Sequence, residues 1–108
     1  MFSGSMEHKD NLGNRSRVGS GGAQRFTAGR GIVHAEMPGA RGDNTGIQLW
    51  VNLPRSLKGI EPGYQQVEQH AFPVENFDGG NVITIIGDGS PLQIRTPVVY
   101  KHLQLEAD

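Results

Sequence analysis

Sixteen glycines and six prolines are spread along these 108 residues rather than pooled in one linker. Glycine weakens a helix through its backbone freedom, and proline removes an amide donor and clashes with the preceding turn. A chain punctuated this often cannot sustain long helices, so it is expected to turn repeatedly between short strands. Its length suits a single core, or part of one, and leaves no room for two. The expected class is all-β, built as a sandwich or barrel with long loops. No repeat of about 20 to 50 residues is visible, so a solenoid or propeller is not supported.

Charge and cysteine content remove several kinds of function. Ten basic and eleven acidic residues give a formal net charge of -1. No basic block would concentrate a nucleic-acid backbone along one face, so direct nucleic-acid binding is not inferred. With no cysteine, disulfides, thiolate metal sites and cysteine nucleophiles are excluded together. Histidine and carboxylate must carry any metal. Residues 1–8 lack the basic start and apolar stretch of a signal peptide, and no apolar run approaches a membrane span. A cytoplasmic protein, with the nucleus as the eukaryotic alternative, is the expectation.

Along the chain, residues 1–28 read as a polar, loop-rich lead-in, with Val18 to Ala23 as a flexible connection. Residues 29–108 read as the strand-rich part. From Ile32 the pattern alternates, with Ile32, His34 and Glu36 on one side and Val33, Ala35 and Met37 on the other. Ile47 to Leu53 is the clearest strand, alternating apolar and polar until Pro54. Between Arg55 and Asn76, Pro62 and Pro73 prevent a long helix, and this stretch reads as a surface excursion with a short helical turn over Tyr64 to His70. Asn81 to Ile86 predicts a strand covered on both faces. Gly87 to Pro91 turns the chain, Leu92 to Arg95 is briefly extended, and Val98 to Leu105 predicts the last strand.

His34 and Glu36, two apart in a strand, leave the same face with Cα atoms roughly 6.5 to 7 Å apart, within reach of one ion. Imidazole plus carboxylate suits Fe(II), Mn(II), Ni(II) or Cu(II). The plainer reading is a solvated or hydrogen-bonded pair. Gly29 and Gly31 permit a tight approach and positive φ beside the strand, as ordinary turn glycines also do. His8, His70 and His102 each lie in a different segment, and an exposed or structurally hydrogen-bonded role is the first reading for each. Phe26 and Trp50 either line a cavity or fill a core. No serine, threonine or lysine has an evident base partner, so nothing points to covalent catalysis.

Taken together, Gln24 to Pro38, which contains T-A-G-R-G-I-V-H-A-E-M-P, resembles the signature of the pirin family. Gly46 to Pro54, Glu61 to Gln65 and Thr96 to Tyr100 follow at similar spacing, and Gly4 to Asn14 is similar to the region that precedes the signature in pirins. Pirins are bicupins, two β-barrels in one polypeptide. The resemblance implies an incomplete cupin spanning residues 1–108, corresponding to the later part of the N-terminal barrel and ending at the start of the second.

The resemblance further implies an iron site of three histidines and one glutamate. His34 and Glu36 match the later histidine and the glutamate. The other two histidines belong to an H-P-H-R-G-F-E-T block that this sequence does not contain, and His8 matches a position outside the ligand set. Arg25-Phe26 stands where pirins carry Trp-Met. Implied functions are quercetin 2,3-dioxygenase-type chemistry on a flavonol-like substrate, impaired here by the shortened ligand set, or a non-enzymatic role as an interaction protein or transcription cofactor with a protein partner. Unpaired strand edges add self-association to these expectations.

Overall fold

In a computed structural model, residues 1–39 and 42–107 are described. They form eight strands: β1 (Ser5–Asp10), β2 (Arg15–Gly19), β3 (Ala23–Thr27), β4 (His34–Pro38), β5 (Gly63–Val67), β6 (Val74–Phe77), β7 (Gly80–Ile86) and β8 (Tyr100–Leu105). Single 3-10 turns occur at Arg55–Leu57 and Gln69–Ala71, and no α-helix occurs among the described residues. The all-β expectation holds. Every ladder is antiparallel, and the strands form three sheets, β2-β1-β4, β3-β5 and β6-β7-β8, which do not close into one barrel.

The polar lead-in is more ordered than its composition suggests, since β1, β2 and β3 lie within residues 1–28. Local turn chemistry supplies the order. Asp10 Oδ1 accepts from the amides of Leu12 at 2.9 Å and Asn14 at 3.0 Å, closing the β1–β2 hairpin, and the Asp10 amide donates to Asn14 O. Val18, in the stretch read as a flexible connection, is 1% exposed. Apolar periodicity misses such strands because their buried face is built largely from polar groups that bond one another.

Two other readings change. Ile47 to Leu53 forms no ladder, although its alternation is the cleanest in the chain. Alternation fixes which way side chains point, but a strand needs a neighbour to take its amides and carbonyls. None of the described strands pairs with it. Instead, Asn52 O accepts from Thr96 Oγ1 at 2.8 Å, and Ile47, Leu49 and Trp50 are all exposed. Conversely, Tyr64 to Val67, read as the start of a helical turn, belongs to β5, and only Gln69–Ala71 winds as a 3-10 turn. Pairing with β3 holds Tyr64 extended through the register Phe26↔Tyr64 and Gln24↔Gln66.

The apolar core gathers Val67, Phe72, Ile86 and Leu92, with Ala23, Ile83, Ile85, Ile94, Val98 and Tyr100 packed against them. It therefore ties the β3-β5 sheet to the β6-β7-β8 sheet. Phe72, 4% exposed, enters it directly after the 3-10 turn. Truncation of a buried phenylalanine removes its transfer free energy and leaves a cavity, typically costing about 3 to 5 kcal/mol. Phe72→Ala is expected to lower the urea midpoint of the chain sharply, whereas Val74→Ala, at a half-exposed position on β6, should shift it by less than the equivalent of about 0.5 kcal/mol. Equal shifts would show that Phe72 is not a core anchor.

Candidate metal centre

The centre grows out of strand register. In the β2-β1-β4 sheet, Ser16, His8 and Glu36 are aligned across three strands, and Asp10 pairs with His34 one step further along. Because side chains alternate, His8 and Asp10 share a face of β1 just as His34 and Glu36 share a face of β4. The β3-β5 sheet brings Gln24, Phe26, Tyr64 and Gln66 against this face.

Gly29 fixes the approach to β4. Its φ is +53°, and a Cβ there would collide with the Ile60 carbonyl oxygen, which accepts from the Arg30 amide at 2.8 Å. Only glycine satisfies both conditions without strain.

His8 lies at the bottom of the centre with no exposed surface. Its Nε2 donates to Asp10 Oδ2 at 2.7 Å, and its Nδ1 is paired with Glu36 Oε1 at 2.6 Å. The ring stacks on Tyr64 with centroids 4.2 Å apart and planes 3° from parallel, while Phe26 packs at 4.9 Å. The second oxygen of Glu36 accepts from Gln24 Nε2 at 2.8 Å. The Gln24 amide is oriented in turn by the Tyr64 hydroxyl, which donates to Gln24 Oε1 and itself pairs with Ser16 Oγ at 2.6 Å.

His34 stands nearer the surface. Its side chain is 31% exposed and that of Glu36 25% exposed, and Phe26 packs against the His34 ring with centroids 4.7 Å apart. His34 Nδ1 lies 3.6 Å from Glu36 Oε1, too far for a direct hydrogen bond.

Donor atoms of His8, His34 and Glu36 all lie within 4.8 Å of one another. The distances divide their roles. Two donors each about 2.1 Å from one ion, at angles of ~90 to 110°, stand ~3.0 to 3.4 Å apart. The His34–Glu36 separation of 3.6 Å approaches that range with a small adjustment, so these two partly exposed groups fit a shared divalent ion. The His8–Glu36 separation of 2.6 Å is hydrogen-bond length and leaves no space for an ion between them.

The surroundings also set ionisation. Burial raises the Asp10 carboxyl pKa, but hydrogen bonds from His8, from the side chain and amide of Asn14 and from the Leu12 amide outweigh it and hold the value at about 2. Burial raises the Tyr64 phenol, opposed by the hydrogen bond to Ser16 and reinforced by the nearby Glu36 and Asp10 charges, so the phenol keeps its proton.

Of the residues singled out from sequence, His34 and Glu36 come together, and His8 joins them as a hydrogen-bonded partner. Phe26 lines the centre. His70 sits exposed in a 3-10 turn, and His102 on β8 packs against Phe2, with ring centroids 5.0 Å apart. Trp50 is 87% exposed, so it neither lines the centre nor fills the core. Asp10, Gln24 and Tyr64 were not picked out from the sequence. The one available signal was that His8 and Asp10 repeat the two-residue spacing of His34 and Glu36.

Residues 1–51 match the family model described as Pirin. A pirin-like protein of Caulobacter vibrioides is 46% identical over 99 residues, covering 91% of this chain and 36% of the relative. Human pirin is 41% identical over 107 residues, covering 95% and 37% respectively. The chain thus spans little more than a third of the length of these relatives. Among solved structures, the protein GK1651 of Geobacillus kaustophilus superposes with a TM-score of 0.82 at 33% identity, covering 97% of this chain and 44% of that one. A quercetin 2,3-dioxygenase of Acinetobacter baumannii superposes with a TM-score of 0.80 at 27% identity, covering 97% and 36%.

The Asp10 ionisation has a consequence in acid. A carboxyl held at about 2 when folded, against about 3.9 when unfolded, contributes stability that is complete above the unfolded value and lost as pH falls toward 2. The urea midpoint should therefore fall between about pH 4 and 2, and Asp10→Asn should flatten that limb while lowering stability near neutrality. An acid limb unchanged by the substitution would contradict this role for Asp10.

Proposed function

We propose that this chain, whose sequence is that of the pirin family, contributes His34 and Glu36 as protein donors to an iron centre of the cupin type. The carrying observation is their separation of 3.6 Å on one face of β4, both partly open to solvent. An imidazole and a carboxylate suit Fe(II). When bound, iron supplies a redox-active Lewis acid.

The chain's own residues supply the setting. Glu36 offers a carboxylate whose two oxygens are already oriented by His8 and Gln24. Phe26 presents an aromatic wall beside His34, which suits a flat, flavonol-like substrate. Support for that substrate class comes from the likeness to a quercetin 2,3-dioxygenase. In the pirin pattern two further histidines complete the ligand set, so oxygenase-type turnover is proposed for the whole protein, and weaker metal retention for these residues alone.

A second reading, as a non-enzymatic interaction protein, is favoured by a different observation. Val33, Met37, Ile47 and Trp50 are 72%, 62%, 63% and 87% exposed. Apolar side chains exposed to this extent favour association with another protein surface or with a second copy. Among the described residues no helix is long and apolar enough to cross a membrane.

Anaerobic Fe(II) loading, with the bound ion counted after desalting, tests the first reading. The chain is expected to retain more iron than a His34→Ala, Glu36→Ala double variant, and equal retention would sink the metal reading. Sizing across a hundredfold concentration range tests the second. Growth in apparent mass, reduced by Trp50→Ser, is expected, and a monomer throughout would count against self-association.

A further inference from the structure

Glu36 is the more constrained of the two proposed donors, and its constraint comes from groups outside any ligand set. We infer that His8 and Gln24 are positioning residues that clamp the Glu36 carboxylate from its buried side, one on each oxygen, so that the carboxylate is aimed toward His34 before an ion arrives. This inference rests on the proposed metal role of Glu36.

Several features show a clamp rather than a chance contact. His8 is fully enclosed, so its ring cannot swing away without opening the space between the sheets. Tyr64 stacks on one face of the ring, and Asp10 holds Nε2, leaving Nδ1 as the atom that faces Glu36. Asp10 is itself fixed by the hairpin turn, through the Leu12 and Asn14 amides and Asn14 Nδ2. Gln24 is fixed in the same manner, because the Tyr64 hydroxyl bonds its Oε1 and leaves Nε2 facing Glu36 Oε2. Two chains of hydrogen bonds, one from the β1–β2 turn and one from the β3-β5 sheet, therefore end on opposite oxygens of one carboxylate.

The geometry also separates positioning from ligation. At 2.6 Å from Glu36 Oε1, His8 Nδ1 holds a hydrogen bond, and sharing an ion would require the pair to part by roughly half an ångström or more. Partners of this kind orient ligands and typically change metal affinity by about 10- to 100-fold when removed.

The test uses Co(II), whose visible absorption reports its coordination, in titrations of the full chain. His8→Phe keeps a ring against Tyr64 but removes the Nδ1 contact, and is expected to weaken Co(II) binding about 10- to 100-fold. His8→Asn, whose amide can present an N–H near the Nδ1 position, should restore affinity to within about threefold and leave the absorption bands in place. Gln24→Leu should weaken binding about tenfold, and carries the test if His8→Phe does not fold.

Unaltered affinity in His8→Phe, or in Gln24→Leu where that variant carries the test, overturns the clamp. Band shifts in His8→Asn overturn it differently, by making His8 a ligand. Unaltered Co(II) binding by the His34→Ala, Glu36→Ala variant removes the metal reading itself, and the clamp with it.

Discussion

A histidine with no exposed surface, placed between two carboxylates, is a costly arrangement unless every polar atom finds a partner, because the interior offers no water to replace a missing hydrogen bond. His8 meets that condition through Asp10 on one nitrogen and Glu36 on the other. The rest of the centre depends on it. If the β1–β2 turn released Asp10, the ring would lose its orientation and Glu36 its buried partner. A local turn motif and a candidate ligand on β4 are thereby joined through one side chain.

Register makes this economical. Within the β2-β1-β4 and β3-β5 sheets each antiparallel pairing places one site residue opposite another, so Ser16, His8 and Glu36 form a row while Phe26 and Tyr64 face that row from the β3-β5 sheet. A slip of one residue in β1 would turn His8 and Asp10 to the opposite face. Polar contacts here specify register where apolar contacts are few, and the main apolar core lies elsewhere, around Val67, Phe72, Ile86 and Leu92. The apolar core lies between the β3-β5 and β6-β7-β8 sheets, whereas the backbone-paired β2-β1-β4 sheet carries the network of hydrogen-bonded polar side chains.

That division explains what could be read from the sequence. β7 was legible because its branched apolar run has the pattern of a covered strand, and His34 and Glu36 stood out by spacing within a distinctive motif. The strands of residues 1–28 were missed because their inward residues, such as His8, Ser16 and Gln24, are polar and carry no apolar period. Ile47 to Leu53 misled in the opposite sense, since alternation without a pairing strand leaves Trp50 in solvent. The clamp was hidden for a related reason: Gln24 and Tyr64 acquire their roles only through the β3–β5 register, which no local pattern announces.

The central claim is that an ion binds between His34 and Glu36 while His8 stays behind the carboxylate. A crystal structure of the cobalt-loaded chain, with anomalous scattering measured on both sides of the cobalt edge, tests it most directly. The expected result is one cobalt peak about 2.1 Å from a His34 ring nitrogen and a Glu36 oxygen, with His8 Nδ1 still at hydrogen-bond distance from the carboxylate. A peak bonded to His8 Nδ1, or no peak beside Glu36 in a cobalt-saturated crystal, would contradict it.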